Sequence, residues 1–418
     1  PHPQCINSCE EAMINKRETA SNQPLNPPIP PLPKGGKGGF EAGFTMVELL
    51  VSMVMFVLLI AAASQIFTAQ LTQFKQQSKI AETNIEGIIG LELLRRDIKH
   101  AGYGLPWVIP ATVAYDEALS DPNGYNDDAA NDPPRAIFSG DGNGYNSSDE
   151  LIIKSTKIAI SDTAQRWTWL RTDNVKRIWL SGDDFVNSDR VIVVFPGSTD
   201  ANSRTLEVSS ADPTIWKTTY GATGNFDPSD AIETNIIYGI KPPGSPVTEP
   251  RMPFNRADYY ISTTNVPARC AEPVTGTGVL IKSVIQHAPP GNRGGGLPLL
   301  DCVADMQVVY RLDTTGDGTI DTTHEDLLAT GLNLSAQQIR TQVKEVRVYI
   351  LAQEGQKDPN FTFTRLGPAV YPGACATCIR VGPATGEGRD FDITTITDGV
   401  NYRWKLYILV VNPENLLE

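Results

Sequence analysis

The chain has 418 residues, of which 40% are hydrophobic and 20% charged, a composition typical of a folded protein that builds a large core. Its formal net charge of −13 and isoelectric point near 4.9 argue against a nucleic-acid partner, because phosphate binding requires clustered Lys and Arg side chains. The sequence contains no G-x-S-x-G, no HExxH and no phosphate-binding loop. We therefore expect a protein that is not an enzyme.

The first 43 residues predict a disordered leader, because NQPLNPPIPPLPKGGKGGFEAG is rich in Pro and Gly and cannot pack a core. From Leu49 to Phe74 there is no charge, and a helix over Phe44 to Phe67, at about 1.5 Å per residue, crosses roughly 30 Å of hydrocarbon. A secretory signal is the alternative, but its apolar region is shorter, about 7 to 15 residues.

Apolar residues continue at spacings of three and four beyond the uncharged run, which predicts that the same helix extends to His100 as an amphipathic helix. The Gly and Pro residues of AGYGLPW then end it. The predicted apolar face consists of Phe67, Leu71, Phe74, Ala81, Ile85, Ile88, Leu91, Leu94 and Ile98.

Beyond Trp107 the pattern changes to short apolar or alternating runs between Asn, Asp, Gly and Pro clusters, which is typical of strands and loops. We predict an α+β protein with a leader over 1–43, a long helix over 44–104 and a β-rich globular head over 105–418. An antiparallel sheet should pack on the second half of the helix. Predicted strands begin at Glu150, Arg190, Arg204, Ala257, Gly278, Ala304, Lys344 and Arg403.

Two of the six cysteines precede the apolar run and four follow it. In an exported domain the even set of four suggests two disulfides, for which three pairings exist. We favour Cys270 with Cys302 and Cys375 with Cys378. The alternative for the second pair is half of a zinc site or a redox motif, although the chain has only four His and no second CxxC.

One carboxylate, Glu48, interrupts the start of the apolar run. A charge inside the bilayer costs on the order of 2.5 to 3.5 kcal/mol unless it finds a partner, and we expect none within its own helix. Two interpretations follow. Either Glu48 lies near the interface and reaches water, or cleavage after Gly43 creates a positive amine on Phe44 that pairs with Glu48 of an adjacent subunit.

The stretch GFTMVELLV resembles the class III signal of type IV pilins and pseudopilins, with Gly43 at the cleavage point, Phe44 as the usually N-methylated first residue, and then Thr45 and Glu48. LELLRRDIKHAGYG at 91–104, SSDELII at 147–153 and the closing YRWKLYILVVNPENL at 402–416 are similar to the PilW family of minor type IV pilus assembly proteins. Together these stretches cover both ends of the chain beyond the leader.

The resemblance implies a type IV pilin-like fold, cleavage by prepilin peptidase and packing of the helix into a filament core, where Glu48 neutralises the Phe44 amine of a neighbour. Implied partners are major and minor pilins, the peptidase, the inner-membrane assembly platform and a tip adhesin. The implied location is the bacterial inner membrane and then the pilus, with the head periplasmic or extracellular. The large head favours a low-copy minor pilin that primes or caps the filament. The alternatives are a minor pseudopilin of type II secretion and a calcium-dependent tip adhesion module.

The stretch LDTTGDGTIDTTHEDL at 312–327 resembles a calcium loop of EF-hand type, because carboxylates at this spacing can converge on a hard cation around a glycine turn. His324 stands at the last ligand position, where it is a poor calcium ligand, so Glu325 or Asp326 would replace it. The alternative is a solvated Asp-Gly hairpin turn between two strands. The candidate calcium ligands are Asp313, Thr315, Asp317, Thr319, Asp321 and Glu325.

Aromatic and basic residues also interleave over 166–179, a pattern that suggests a carbohydrate or nucleic-acid surface. We favour a strand core with a solvated basic edge. The residues concerned are Trp167, Trp169, Trp179, Arg166, Arg171, Lys176 and Arg177.

Overall fold

The computed structural model describes residues 45–119, 124–127, 132–172, 176–177, 179–180, 182–197, 203–209, 212–221, 228, 232–244, 249–272, 276–364 and 375–416, without the side chains of 82–86. The chain divides into two compact units, residues 1–68 and residues 69–418. The predicted leader, including Gly43, and the Phe44 that follows it lie outside the described residues.

Helix α1 extends over Met46–Lys99 and ends one residue before the predicted His100. Every large apolar side chain described between Met46 and Ile60 is more than half exposed. By length and composition, the stretch Met46–Ala81 is long and apolar enough to cross a membrane. No residue in its most apolar part is buried. This confirms the prediction of a long apolar helix at the start of the described chain.

The part of α1 that belongs to the second unit packs on the head through a narrower face than predicted. Leu91, Leu94 and Ile98 are buried as expected, whereas Ile88 is 64% exposed. Gly90 approaches a strand so closely that a Cβ atom built on it would lie 1.8 Å from the backbone oxygen of Leu299. The spacing of apolar side chains could not predict this contact, because the contact is made by a glycine, which has no side chain.

The described chain contains fourteen strands, and the longest of them lie in its second half. Two short helices, α2 (Asp162–Gln165) and α3 (Ala336–Gln342), lie between them. The strands are β1 Ile137–Gly140, β2 Glu150–Ser155, β3 Trp167–Arg171, β4 Val191–Phe195, β5 Thr205–Leu206, β6 Thr234–Gly239, β7 Asn255–Ser262, β8 Gly278–Val284, β9 Leu297–Leu312, β10 Thr322–His324, β11 Val343–Glu354, β12 Cys378–Val381, β13 Arg389–Asp392 and β14 Arg403–Val411.

These strands form three antiparallel sheets, so the α+β class is confirmed. The main sheet has the order β1-β2-β7-β8-β9-β11-β14, with β10 paired to β9. A second sheet has the order β3-β6-β4-β5, and β12 and β13 pair with each other. Each of the eight predicted strands is present. β3 lies in the stretch where a strand core was favoured, whereas β1, β6, β10, β12 and β13 were not predicted. Four of these five have only three or four residues, too few to show a period.

A buried polar cluster fixes α1 to the main sheet. Asp97, which is 3% exposed, accepts hydrogen bonds from Lys282 Nζ at 2.6 Å and from Tyr259 Oη at 2.7 Å. Burial lowers the pKa of Lys282, and the Asp97 carboxylate opposes that change. Burial, the charge of Asp97 and its hydrogen bond raise the pKa of Tyr259. The two donors therefore compensate the desolvation of a carboxylate that the helix carries into the core.

The segment after β14 caps the end of α1. The backbone N–H of Glu414 donates to the carbonyl of Lys99 at 3.1 Å, and Asn415 Nδ2 donates to the same oxygen at 3.1 Å. Leu416 is 1% exposed and lies against Gly102. The last described residues thus lie against the end of α1, where a carbonyl left without a helical partner is satisfied.

Candidate assembly site

The first turn of α1 is closed by reciprocal hydrogen bonds between Thr45 and Glu48. Glu48 Oε2 accepts from the backbone N–H and from the hydroxyl of Thr45, each at 3.1 Å. Thr45 Oγ1 accepts from the backbone N–H of Glu48 at 3.3 Å. Because α1 begins at Met46, Thr45 stands at the N-cap position and Glu48 three residues later, which is the arrangement of a capping box.

The expectation that Glu48 has no partner within its own helix is therefore wrong. The carboxylate satisfies donors at the start of α1, where the partial positive charge of the helix also favours an anion. The T-x-x-E spacing over 45–48 is itself a capping signal and could have shown this from the sequence. These bonds leave the charge of Glu48 without a cation among the described residues. Pairing with a Phe44 amine stays a prediction, since Phe44 lies outside them.

Both favoured disulfides are present in the structure. Cys270 bonds Cys302 with their Cα atoms 5.0 Å apart, and Cys375 bonds Cys378 at 5.1 Å. Asp392 lies beside the second pair, with ligand atoms of all three residues within 4.8 Å of one another. Since the two sulfur atoms are bonded to each other, they cannot act as thiolate ligands, and the geometry favours a disulfide over a zinc site.

The proposed calcium loop connects β9 to β10 as a hairpin. Asp313 is buried and accepts hydrogen bonds from the backbone N–H groups of Gly316, Asp317 and Gly318 at 2.6 to 3.2 Å. Burial alone would raise the pKa of Asp313, but these hydrogen bonds outweigh it and lower the pKa. The turn is thus closed by its own backbone donors, which is the geometry of the hairpin alternative.

The other candidate calcium ligands do not gather around Asp313. Asp321 accepts from the backbone N–H groups of Thr314 and Thr315 at 2.9 and 3.1 Å, while Asp317 accepts from that of Thr319 at 2.7 Å. Within the described chain, the carboxylates of this loop do not form a group of three with ligand atoms mutually within 4.8 Å. Calcium binding by this loop stays a prediction.

Glu325, the predicted final ligand, contacts a different part of the head. Its carboxylate accepts a hydrogen bond from the backbone N–H of Gly388, in the turn between β12 and β13. Burial raises the pKa of Glu325, the bond from Gly388 opposes that rise, and the nearby Asp141 and Glu387 add to it. The structure therefore separates Glu325 from the oxygen atoms with which it was grouped.

Two of the three tryptophans at 167–179 pack on each other and on arginine. Trp167 and Trp179 meet edge to face with ring centres 5.3 Å apart, and Trp179 Nε1 donates to the carbonyl of Trp167 at 2.6 Å. The Arg177 guanidinium lies 3.8 Å from the ring centre of Trp179. Both indoles line a cavity of about 330 Å³.

The basic residues of the same region differ in their surroundings. Arg166 pairs with Asp189 and Lys176 with Asp184, each at 2.8 Å, and Arg171 is exposed at the end of β3. This arrangement has the features of the strand core with a basic edge that we favoured, because two of its cations are already neutralised.

Neither a protein-family model, nor a curated protein, nor a solved structure matches the chain. A functional interpretation therefore depends on its own residues.

Proposed function

We propose that the chain is a membrane-anchored minor subunit of a type IV pilus, cleaved between Gly43 and Phe44 and assembled through the first half of α1. The observation that carries this proposal is the helix itself. Its first part is uniformly apolar and exposed, with a single carboxylate at its start, whereas its last turns bury an apolar face in the head. An exposed apolar surface of this length requires lipid or other helices to cover it.

The capping box gives Glu48 a second role beside the subunit pairing that the resemblance implies. After cleavage, the α-amine of Phe44 would stand one residue before the N-cap Thr45 and four before Glu48. A carboxylate held at the helix start by Thr45 is oriented before assembly, which lowers the entropy lost when it meets a cation of a neighbouring subunit. In this proposal Thr45 positions Glu48, and Glu48 sets the register between subunits.

The proposal is tested by intact mass and N-terminal sequencing of the protein isolated from its native membrane. We expect a chain that begins at Phe44, carries one methyl group on its amine and is four hydrogens lighter than the reduced form because of its two disulfides. A chain that is cleaved near Ala63, or that is not cleaved after Gly43, would contradict the proposal. Such a chain would instead be an exported or anchored β protein.

A further inference from the structure

Two arginines lie against one indole on the head. The guanidinium carbon of Arg340, on α3, is 4.4 Å from the ring centre of Trp107, and that of Arg204, just before β5, is 5.1 Å from it. Both side chains are half-buried. Stacking on tryptophan stabilises each cation through the face of the ring, and it leaves the N–H groups at the guanidinium edges free to bind another group.

No carboxylate neutralises this pair within the part of the chain that the structure describes. Neither guanidinium forms an ion pair or a hydrogen bond with a described residue, and Arg204 Nη2 is buried without an acceptor. Burial lowers the pKa of Arg340 to about 10, and the positive charge of Arg204 adds to this effect. The two cations therefore destabilise each other where solvent screening is incomplete.

Among the described residues of the head, the cations that are fully buried are compensated. Lys154 pairs with Glu117 and Asp127 at 2.6 Å each, and Lys282 pairs with Asp97 at 2.6 Å. In a chain with a net charge of −13, carboxylates are abundant, yet none is placed beside Trp107 in the described residues. An uncompensated pair of this kind is costly unless a ligand supplies the negative charge.

We propose that Arg204 and Arg340 form a binding site for a tetrahedral oxyanion, either free phosphate or the phosphate of a monoester. The planar fork of a guanidinium matches two oxygen atoms of such a group, and two arginines match its double negative charge. Trp107 would hold both cations in place before binding. Nucleic acid is a poor occupant, because the strongly acidic chain repels a long polyanion.

The backbone around these residues holds the side chains in position. The N–H of Trp107 donates to the carbonyl of Arg204 at 3.0 Å, and Arg204 has a positive φ of 53°. This left-handed conformation is uncommon for a residue other than Gly, Asn or Asp, and such conformations cluster at active sites and ligand-binding sites. On the other side, Ser335 and Gln338 form a capping box that fixes the start of α3.

The site is independent of the proposed pilus function, so each can fail alone. The binding site is tested with the full chain in a phosphate-free detergent, by thermal unfolding and by calorimetric titration. The probes are inorganic phosphate and glucose 6-phosphate, and chloride of equal ionic strength is the reference. We expect one site per chain and a rise of about 2 °C in the unfolding midpoint of the wild type. Arg204→Gln and Arg340→Gln should lose this rise and weaken binding by about tenfold or more. The exposed Arg171→Gln serves as the matched control.

The variants also separate a ligand site from simple packing. Without phosphate, Arg340→Gln should unfold at or above the wild-type midpoint, because it removes the repulsion from Arg204 while a planar amide still stacks on Trp107. A rise with glucose 6-phosphate alone would identify a monoester as the ligand, and a rise with both probes would identify the oxyanion. Absence of binding, or an equal rise in all variants, would overturn the proposal.

Discussion

At the scale of single residues, the Glu48 carboxylate is subject to two opposing effects. It is costly beside hydrocarbon, yet it accepts the hydrogen bonds of Thr45 at the start of α1. A neutral amide at the same position can still accept these bonds but cannot neutralise an amine. The cap and the charge can therefore be separated by substitution.

We expect Glu48→Gln to keep the helix start but to reduce incorporation into filaments at least about tenfold, as Glu48→Val should, because both lose the charge. Membrane insertion should remain normal in both variants. The measurement is the amount of each variant in purified filaments relative to that in the membrane. Thr45→Ala removes the cap but keeps the charge, so it should reduce incorporation less than Glu48→Gln does. Normal incorporation of Glu48→Gln would count against a charge pair between subunits.

We expect a second residue, His287, to make the free energy of unfolding depend on pH. It is buried, and its Nε2 lies 3.0 Å from Asn255 Oδ1, while Nδ1 has no partner among the described residues. Burial lowers the pKa of His287 from 6.5 to about 3, and the charges of Lys241 and Arg251 contribute. As the pH falls below 6.5, the unfolded chain binds this proton and the folded chain does not.

The free energy of unfolding should therefore fall between pH 6.5 and pH 3 by up to about 1.4 kcal/mol per pH unit from His287 alone. Above pH 6.5 this contribution is constant. His287→Gln should remove it, so that denaturant unfolding of the variant depends less steeply on pH than that of the wild type. Identical slopes for the two proteins would show that His287 does not titrate differently in the folded state.

At the scale of elements, the docking of α1 depends on one buried carboxylate and one close backbone approach. Asp97 joins the helix to β7 and β8 through Tyr259 and Lys282, and Gly90 lets it approach the backbone of Leu299 in β9. Neither contact belongs to the apolar stripe that predicted this helix. The stripe specifies which side faces the sheet, and these two contacts specify the distance and the register.

Asp97→Ala should lower the free energy of unfolding by about 3 to 5 kcal/mol, because it leaves the Lys282 ammonium buried without a partner. Asp97→Leu combined with Lys282→Met should recover much of this loss, since an apolar pair no longer carries an uncompensated charge. Denaturant unfolding of the full chain in detergent measures both. If the single variant is as stable as the wild type, the ion pair does not hold the helix in place.

At the scale of the whole head, the last described residues pack against the end of α1 and the turn that follows it. The residues after β14 supply donors to the carbonyl of Lys99 and place Leu416 against the turn that follows α1. The disulfide between Cys270 and Cys302 joins the loop after β7 to β9 in the same sheet. Because these contacts join segments that are far apart in sequence, we expect the head to unfold as one cooperative unit.

Leu416→Ala should therefore destabilise the whole head by about 2 to 5 kcal/mol, although the residue is the third from the end of the chain. Leu416→Met should cost less than about 1.5 kcal/mol because it keeps the buried volume. Circular dichroism and tryptophan fluorescence should report a single, shifted transition. Separate transitions for the two probes would indicate that the last segment unfolds without the rest of the head.

The long helix, the eight predicted strands and the antiparallel α+β class could be predicted from the sequence alone, because these depend on local periods of hydrophobicity and on turn residues. The sequence also contained the capping signal at Thr45 and Glu48, which is local too. Which side chains meet across the head became known only from the fold. In the fold, Glu325 contacts Gly388 and not the loop of Asp313, and Arg204 and Arg340 lie against Trp107. These contacts depend on the paths of loops and on the order of strands, which the local spacing of residues does not encode.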